Sequence, residues 1–433
     1  MEHIRETLET PVRGEYDVIV VGSGPAGMGA AVQAGRLGAR VLLLEAQGTV
    51  GGISTSGLMS HFTGRGGSAM YFEVLRRMAE RNYFEKGVGK PFIDPEMLKK
   101  IYFEMLEDAG AEVLLYTFVC GVIRDGDTVK GVIVENKTGR GAYLGKVIVD
   151  ASGDGDVAAK AGAEYFLGRE EDGRMQPATL MFKVGGVDME NAVLPPSFET
   201  QVPTEKGELQ ALAKKLLPHP AGHVLLYPSP IPGIVTCNMT NVTGIDGTKA
   251  EDLTRAEVVC RSQMEPIVEF LREYVPGYAH CYIISAASLI GIRETRHFKG
   301  VKTITEEDVL TARQFPDAVV HGAWFNFDVH NMTGSGLDKT GCQAKFTQQK
   351  GYTIPYGCMV PEKLNGLLLS GRNISGSHMA HSSFRTMPIC MGIGEADGIA
   401  AALAVRGNIP LRDVRPEEIQ EIQKTFCYDD PLK

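Results

Sequence analysis

The chain has 433 residues, of which 43% are hydrophobic and 22% charged, and a formal net charge of −9; this leaves room for a large core and two domains. The acidic balance removes the electrostatic case for a nucleic-acid partner. Eight cysteines lie scattered without a CxxC pair, which argues against a zinc site, a disulfide framework or a redox dithiol and fits free thiols in a reducing cytoplasm.

The opening stretch MEHIRETLETPVRGEY has neither the basic nor the apolar region of a signal peptide. No apolar run reads as reaching the ~18–20 residues of a membrane span. An apolar strand, Val18 to Val21, then runs straight into Gly22-Ser23-Gly24-Pro25-Ala26-Gly27. A small-residue helix follows, and a second strand ends at Glu45 and Ala46. Each part has a task if a dinucleotide sits there. Gly22 allows the tight turn, Gly24 lets the backbone approach the pyrophosphate, and Gly27 lets the helix pack close to the strand. The helix N-terminus offers N–H groups and partial positive charge to the phosphates. Glu45 can accept hydrogen bonds from ribose hydroxyls.

A loop with Gly51, Gly52 and Ile53 comes next, then a helix over 69–82. A second helix is punctuated by Asp94 as N-cap, Pro95 at its first position and Gly110 past its end. Strands follow over 113–123, 130–137 and 146–152, the first two joined by a turn at Asp125-Gly126-Asp127. They form an antiparallel insertion whose last strand rejoins the main sheet and ends at Ala151-Ser152-Gly153-Asp154. A new strand-rich region starts at 178–188, and residues 251–274 read as a helix kinked or broken at Pro266. Thr305 and Asp308 make a capping pair for a helix over 306–315. Strands recur from Tyr352 and over 364–373, then a Gly- and Ala-rich helix from Pro388 to Val405 and a surface helix over 415–426.

This ordered set resembles the two-dinucleotide-fold flavoproteins related to glutathione reductase and fumarate reductase, and within them the group called FAD-dependent oxidoreductase. The resemblance rests on the GSGPAG loop, Gly51-Gly52, ASGDGD, IPYGCMVPEKLNGLLLSGRN at 354–373 and MGIGEADGIAAALA at 391–404. It implies FAD as cofactor and a Rossmann-like α/β FAD-binding domain built from both chain ends, residues 14–170 and 345–433. An α+β substrate-binding cap, residues 171–344, would be inserted between them. Ser23 to Gly27 would hold the pyrophosphate, and Glu45 and Ala46 would face the AMP ribose. Val119 would present its backbone to the adenine, and Ala151 to Asp154 would pass the pyrophosphate on its other side. Gly371 and Arg372 would close over the ribityl and phosphate region. Many relatives carry an acid where this chain has Arg372, which suits phosphate instead. Thr386, Met387 and Pro388 would point a helix N-terminus at the flavin pyrimidine ring, where positive charge favours the reduced, anionic form.

A second strand–GxGxxG–helix unit for a nicotinamide is not found in the sequence, so substrate is expected to react directly at the flavin. In GIRETRH (291–297), Arg293 and Arg296 are three apart; on a helix they would share a face and could clamp a carboxylate. The alternative is a surface salt bridge with Glu294. In HMAHSSFR (378–385), His378, His381 and Arg385 are candidates for acid–base chemistry over the flavin. His61 follows the Gly51-Gly52 loop. His321, Asp328 and His330 could line the cap, though core packing is favoured for them, and no metal ligand set is assigned. The expected protein is an FAD-dependent oxidoreductase moving hydride between flavin N5 and a small, anionic or hydroxylated substrate. Its electron acceptor is open, and it could be a homo-oligomer. An NAD-dependent dehydrogenase without flavin, or the flavoprotein subunit of an electron-transfer complex, stands as the alternative.

Overall fold

The computed structural model describes residues 3–81, 92–198, 200–338, 346–426 and 428–429. Its first unit is β1 (Val12–Val21), α1 (Pro25–Arg36) and β2 (Val41–Leu44), followed by α2 (Ala69–Glu80), α3 (Pro95–Asp108), β3 (Glu112–Leu114), β4 (Phe118–Asp125), β5 (Thr128–Glu135) and β6 (Gly141–Asp150). Val18 to Val21 and Val41 to Leu44 are buried on both faces, as expected of parallel strands covered by helices on each side. The sheet order is β3-β2-β1-β6-β5-β4. Strands β1, β2, β3 and β6 run parallel, whereas β4, β5 and the first half of β6 are antiparallel. The expected antiparallel insertion that rejoins the main sheet is therefore present.

The middle of the chain gives α4 (Asp156–Lys160), β7 (Tyr165–Leu167), β8 (Phe182–Gly185), β9 (Pro203–Thr204), β10 (Gly207–Glu208), α5 (Leu209–Leu216), β11 (Leu226–Pro228), β12 (Val235–Cys237), α6 (Ala250–Tyr274) and β13 (Tyr282–Ala286). A small antiparallel sheet, β11-β12-β8-β13, carries α5 and α6 on a core of its own, with Phe182, Leu209, Val235, Ile267 and Leu271 at its heart. The chain then runs through β14 (Arg296–Phe298), α7 (Glu306–Leu310), β15 (Ala318–Ala323), β16 (Tyr352–Pro355), β17 (Leu367–Leu369), α8 (His378–Phe384), α9 (Met387–Gly407) and α10 (Pro416–Gln423). Strand β17 adds to the main sheet parallel to β6.

Helix α9 lies against α1 almost backbone to backbone. A Cβ built on Gly394 would stand 1.8 Å from the Ala26 carbonyl oxygen, and one on Gly398 would stand 2.4 Å from that of Ala30. By length and composition α9 could cross a membrane, contrary to the sequence reading, but 94% of its apolar window is buried inside the protein.

Four further expectations are corrected. The strand expected over 113–123 breaks after Leu114, where Tyr116 takes a left-handed φ of 53° and redirects the chain into β4. Helix α6 runs unbroken through Pro266, its Ile267, Val268, Phe270 and Leu271 buried. Helix α7 has the expected capping box but stops at Leu310, and Ala312 follows with a φ of 52°. Residues 331–335, expected in the cap, bond to His219, Gly222 and Asn241 beside the second core, but the stretch from Phe298 to Phe327, also expected there, packs in the first core. There Phe298, Ile304, Val319 and Val320 join Val18 to Val21.

Candidate active site

The first βαβ unit ends in a cradle at the carboxyl edge of the sheet, the side on which open α/β sheets bind ligands. Gly22 turns at φ +94°, with its missing Cβ 2.4 Å from the Ala151 carbonyl oxygen. Gly27 meets the Gly22 carbonyl oxygen at 1.8 Å on the same test, whereas a Cβ on Gly24 would meet nothing within 4 Å. Pro25 and Ala26 begin α1. Ser23 donates from its N–H and its hydroxyl to Glu45 Oε2, at 2.8 and 2.5 Å, so the expected ribose-binding acid is fixed beside the glycine turn. The Gly51 N–H donates to the Ser23 carbonyl at 2.9 Å, which places Gly51, Gly52 and Ile53 against the same turn. Ala46 follows Glu45 at the end of β2, and Val119 lies in β4.

The other wall comes from β6 and β17. The Ala151 N–H donates to the Val21 carbonyl. Ser152 bonds the buried Asp150. Gly153 and Gly371 both take left-handed φ, 88° and 90°. Arg372 Nη2 donates to Asp154 Oδ1 at 3.0 Å, while its Nη1 is buried with no partner among the described residues. Thr386 N-caps α9 without using its side chain, and its hydroxyl is likewise buried and unpartnered among the described residues; Met387 and Pro388 form the first turn behind it.

The expected arginine clamp takes a different form. Residues 291–295 are irregular and Arg296 opens β14, so the two guanidiniums part company. Arg296 donates to the Asp154 carbonyl and to Asp156, at 2.7 and 2.9 Å. Arg293 donates to the Pro177 carbonyl and Thr179 Oγ1, at 2.5 and 3.2 Å. Its neighbour is Arg385, whose Nη2 donates to Asp328 Oδ2 at 2.8 Å. Burial, followed by the charge of Arg385, lowers the Arg293 pKa to about 10, so the group stays charged at neutral pH. His330 Nε2 lies 3.4 Å from Asp328 Oδ2. Burial, and after it the charge of Arg293, lowers the His330 pKa to about 4. Burial alone would raise Asp328, but His330, Arg385 and Arg293 hold it well below the usual carboxylate range. His223 and Tyr227 complete this wall, the first pushed down to about 3 and the second up to about 12, chiefly by burial. His61 packs edge-on against Tyr227, with ring centroids 4.8 Å apart, and its Nδ1 lies 2.8 Å from Ser60 Oγ.

His381 packs edge-on against His297, with centroids 4.8 Å apart, within the field of Arg385. His378 lies at Glu294, whose Oε1 is 2.5 Å from His378 Nδ1 and 2.9 Å from His297 Nε2. Burial would raise Glu294, but these two imidazoles outweigh it and keep it a carboxylate. Sequence spacing did not single out Glu294, His297, His223 or Tyr227. The one available signal was the run of polar residues in RETRH within an otherwise apolar neighbourhood.

A family model described as FAD dependent oxidoreductase matches residues 17–425. The chain belongs to that family. It is an enzyme, and its cofactor is FAD. Among curated proteins, thiamine thiazole synthase of Aeropyrum pernix is 33% identical over 167 residues, covering 34% of this chain and 58% of the relative. Digeranylgeranylglycerophospholipid reductase 1 of Methanococcoides burtonii is 26% identical over 202 residues, 42% of this chain and 47% of the relative. The chain thus spans about half the length of the curated relatives it matches. Among solved structures, a geranylgeranyl bacteriochlorophyll reductase-like protein from Thermoplasma acidophilum shares 14% identity at a TM-score of 0.49, over 95% of this chain and 83% of that one. These relatives are not specifically of the glutathione reductase or fumarate reductase type that the motifs suggested.

The cradle fits FAD on its own terms. The open face at Gly24 leaves room for a pyrophosphate against the α1 N-terminus. Arg372 Nη1 and the Thr386 hydroxyl are buried polar groups without a partner among the described residues. Each such group costs about 1–3 kcal/mol unless something hydrogen-bonds it. The reading without flavin is set aside on the family match.

Proposed function

We propose that this FAD-dependent oxidoreductase moves a hydride between the flavin and a small anionic substrate gripped by Arg293 and Arg385. The observation that carries this reading is the charge inventory of that wall, where two guanidiniums face the single carboxylate, Asp328, among the described residues, with His330 neutral. A buried surplus of positive charge is costly until an anion joins it. A carboxylate supplies that charge and accepts two donors from each planar fork. The second apolar core, together with His223 and Tyr227, is read as the cap that closes over this substrate.

Bound FAD supplies a hydride acceptor or donor at N5. The cradle residues Gly22 to Gly27, Glu45, Ala46, Gly51 to Ile53, Val119, Ala151 to Asp154, Gly371, Arg372 and Thr386 to Pro388 are assigned to holding it. Arg293 and Arg385 fix the substrate and shed water from its charged group. Asp328 orients His330 by holding its Nε2–H, and the other ring nitrogen, Nδ1, takes or returns the substrate proton. An arriving anion offsets the Arg293 charge that depresses His330, so the imidazole becomes a better base once substrate is in place.

The test is anaerobic titration of the yellow holoenzyme with a panel of hydroxy acids, amino acids and their uncharged esters. Acids are expected to bleach or perturb the flavin spectrum while the esters do not. Arg293→Gln should weaken that response roughly 10–100-fold, the worth of a charged hydrogen-bonding partner. Equal responses to acids and esters would overturn the reading.

A further inference from the structure

The cluster around Glu294 raises a problem of proton counting. Its Oε1 receives His378 Nδ1 at 2.5 Å and stands 2.9 Å from His297 Nε2. The other nitrogen of His297, Nδ1, lies 3.1 Å from the Gly376 carbonyl oxygen. A carbonyl only accepts, so Nδ1 carries the hydrogen. A neutral imidazole has just one N–H, and Nε2 then turns a lone pair toward a carboxylate oxygen. Two acceptors at that distance repel unless a cation sits with them.

A second observation points the same way. His381 packs edge-on against the His297 ring, with centroids 4.8 Å apart, and its Nδ1 is buried with no partner among the described residues. One ligand atom each from Glu294, His297 and His381 falls within 4.8 Å of the others, and all three side chains are buried. The 2.9 Å separation of His297 Nε2 and Glu294 Oε1 suits adjacent ligands of one ion, which at bond lengths of ~2.0–2.1 Å stand about 3 Å apart. Two imidazoles and one carboxylate form a donor set suited to zinc or iron(II), and a poor one for magnesium or calcium.

We propose that Glu294, His297 and His381 bind a divalent first-row transition metal ion, with His378 as a positioning residue that holds the Glu294 carboxylate. The Gly376 carbonyl fixes the tautomer of His297, and Phe166, stacked on its ring at 4.8 Å and 8°, fixes its plane. Such outer-shell contacts orient metal-binding imidazoles in general. The sequence, with no CxxC pair and no ligands grouped around His321, Asp328 and His330, offered no reason to expect a metal. The ligands come instead from two residues three apart and a third on α8.

The experiment uses tag-free, FAD-loaded protein stripped with a chelator and then offered zinc(II) or cobalt(II). Bound metal is measured by mass spectrometry after gel filtration, and cobalt is also followed by its ligand-field bands to the red of the flavin. The wild type should hold about one equivalent, with proton release on binding. His381→Phe keeps a ring for the packing against His297 and Phe384 and removes the ligand; it should keep its flavin and lose the metal. His378→Ala should bind metal roughly 10–100-fold more weakly. A wild type that takes up no ion, or a His381→Phe protein that keeps it, overturns the proposal. The cluster is then an ion pair with a doubly protonated His297. Neither readout needs turnover, so failure here is separate from failure of the anionic-substrate reading.

Discussion

Gly24 and Gly27 stand three residues apart in one loop yet answer to different constraints. A methyl on Gly27 would sit inside the Gly22 carbonyl, whereas one on Gly24 would meet no protein atom. Gly27→Ala should therefore cost the fold about 1–3 kcal/mol or more, the range for overpacking, and lower the melting temperature even without flavin. Gly24→Ala should leave the flavin-free melting temperature unchanged and weaken FAD binding, read as flavin retained through gel filtration. A loss of flavin-free stability in Gly24→Ala would show that its role is in packing. At this scale the turn at Gly22 and the close approach at Gly27 were legible, because the strand–turn–helix pattern already implies that backbone geometry. The arginines were less so. Three-residue spacing suggested one helical face, but the backbone at Arg293 is irregular and at Arg296 extended, so the guanidiniums diverge. Asp328 and His330 were set down as core residues, and only the fold brings Arg385 to them.

Within elements, α9 carries two buried acids, Glu395 and Asp397. Glu395 accepts a hydrogen bond from the Met70 N–H at the start of α2, 2.8 Å away. Burial pushes its pKa up to about 7, and burial likewise pushes Asp150, at the end of β6, up to about 6. A carboxyl raised above its unfolded value favours the fold while protonated, and that advantage is lost as pH climbs through the folded pKa. Glu395→Gln is accordingly expected to stabilise the protein by up to about 3 kcal/mol at pH 8. The difference should vanish below about pH 4.5, where the carboxyl is protonated whether folded or unfolded. Melting curves of both proteins across that range are the check. The helix itself was plain from its run of small apolar residues. The break between β3 and β4 was not, since Tyr116 is a residue type that gives no warning of a left-handed φ.

On the scale of the whole molecule, the chain leaves the first core near Ala178 and returns near Gly291. The two ends of this excursion are tied directly: the Gly291 N–H donates to the Thr179 carbonyl at 2.8 Å. The second core is enclosed between them. Because exit and entry are adjacent, replacing residues 180–290 by a short flexible linker should leave a protein that still folds and binds FAD. That protein keeps Arg293 and Arg385 and should still respond to acids rather than esters in the flavin titration, but only at higher acid concentration, having lost His223 and Tyr227. If the shortened chain cannot retain flavin, the two cores depend on one another for folding. The α/β class and the bipartite FAD domain were readable from motif order alone. The return point of the chain was not, because β14 and β15 are short strands whose partners lie far away in sequence.

The close seating of α9 on α1 also sets an order of events during synthesis. Ala26 and Ala30 press directly on Gly394 and Gly398, so the side of α1 that faces α9 stays bare until the ribosome has made α9. Until then the emerging chain displays the apolar flanks of β1, β2 and α1, the kind of surface that chaperones shield. The wall formed by Gly371, Arg372 and Thr386 arrives in the same late stretch. With those residues holding FAD as proposed, cofactor capture waits for α9, and a ribosome stalled before α9 would hold a nascent chain with its glycine loop made and nothing to close over it.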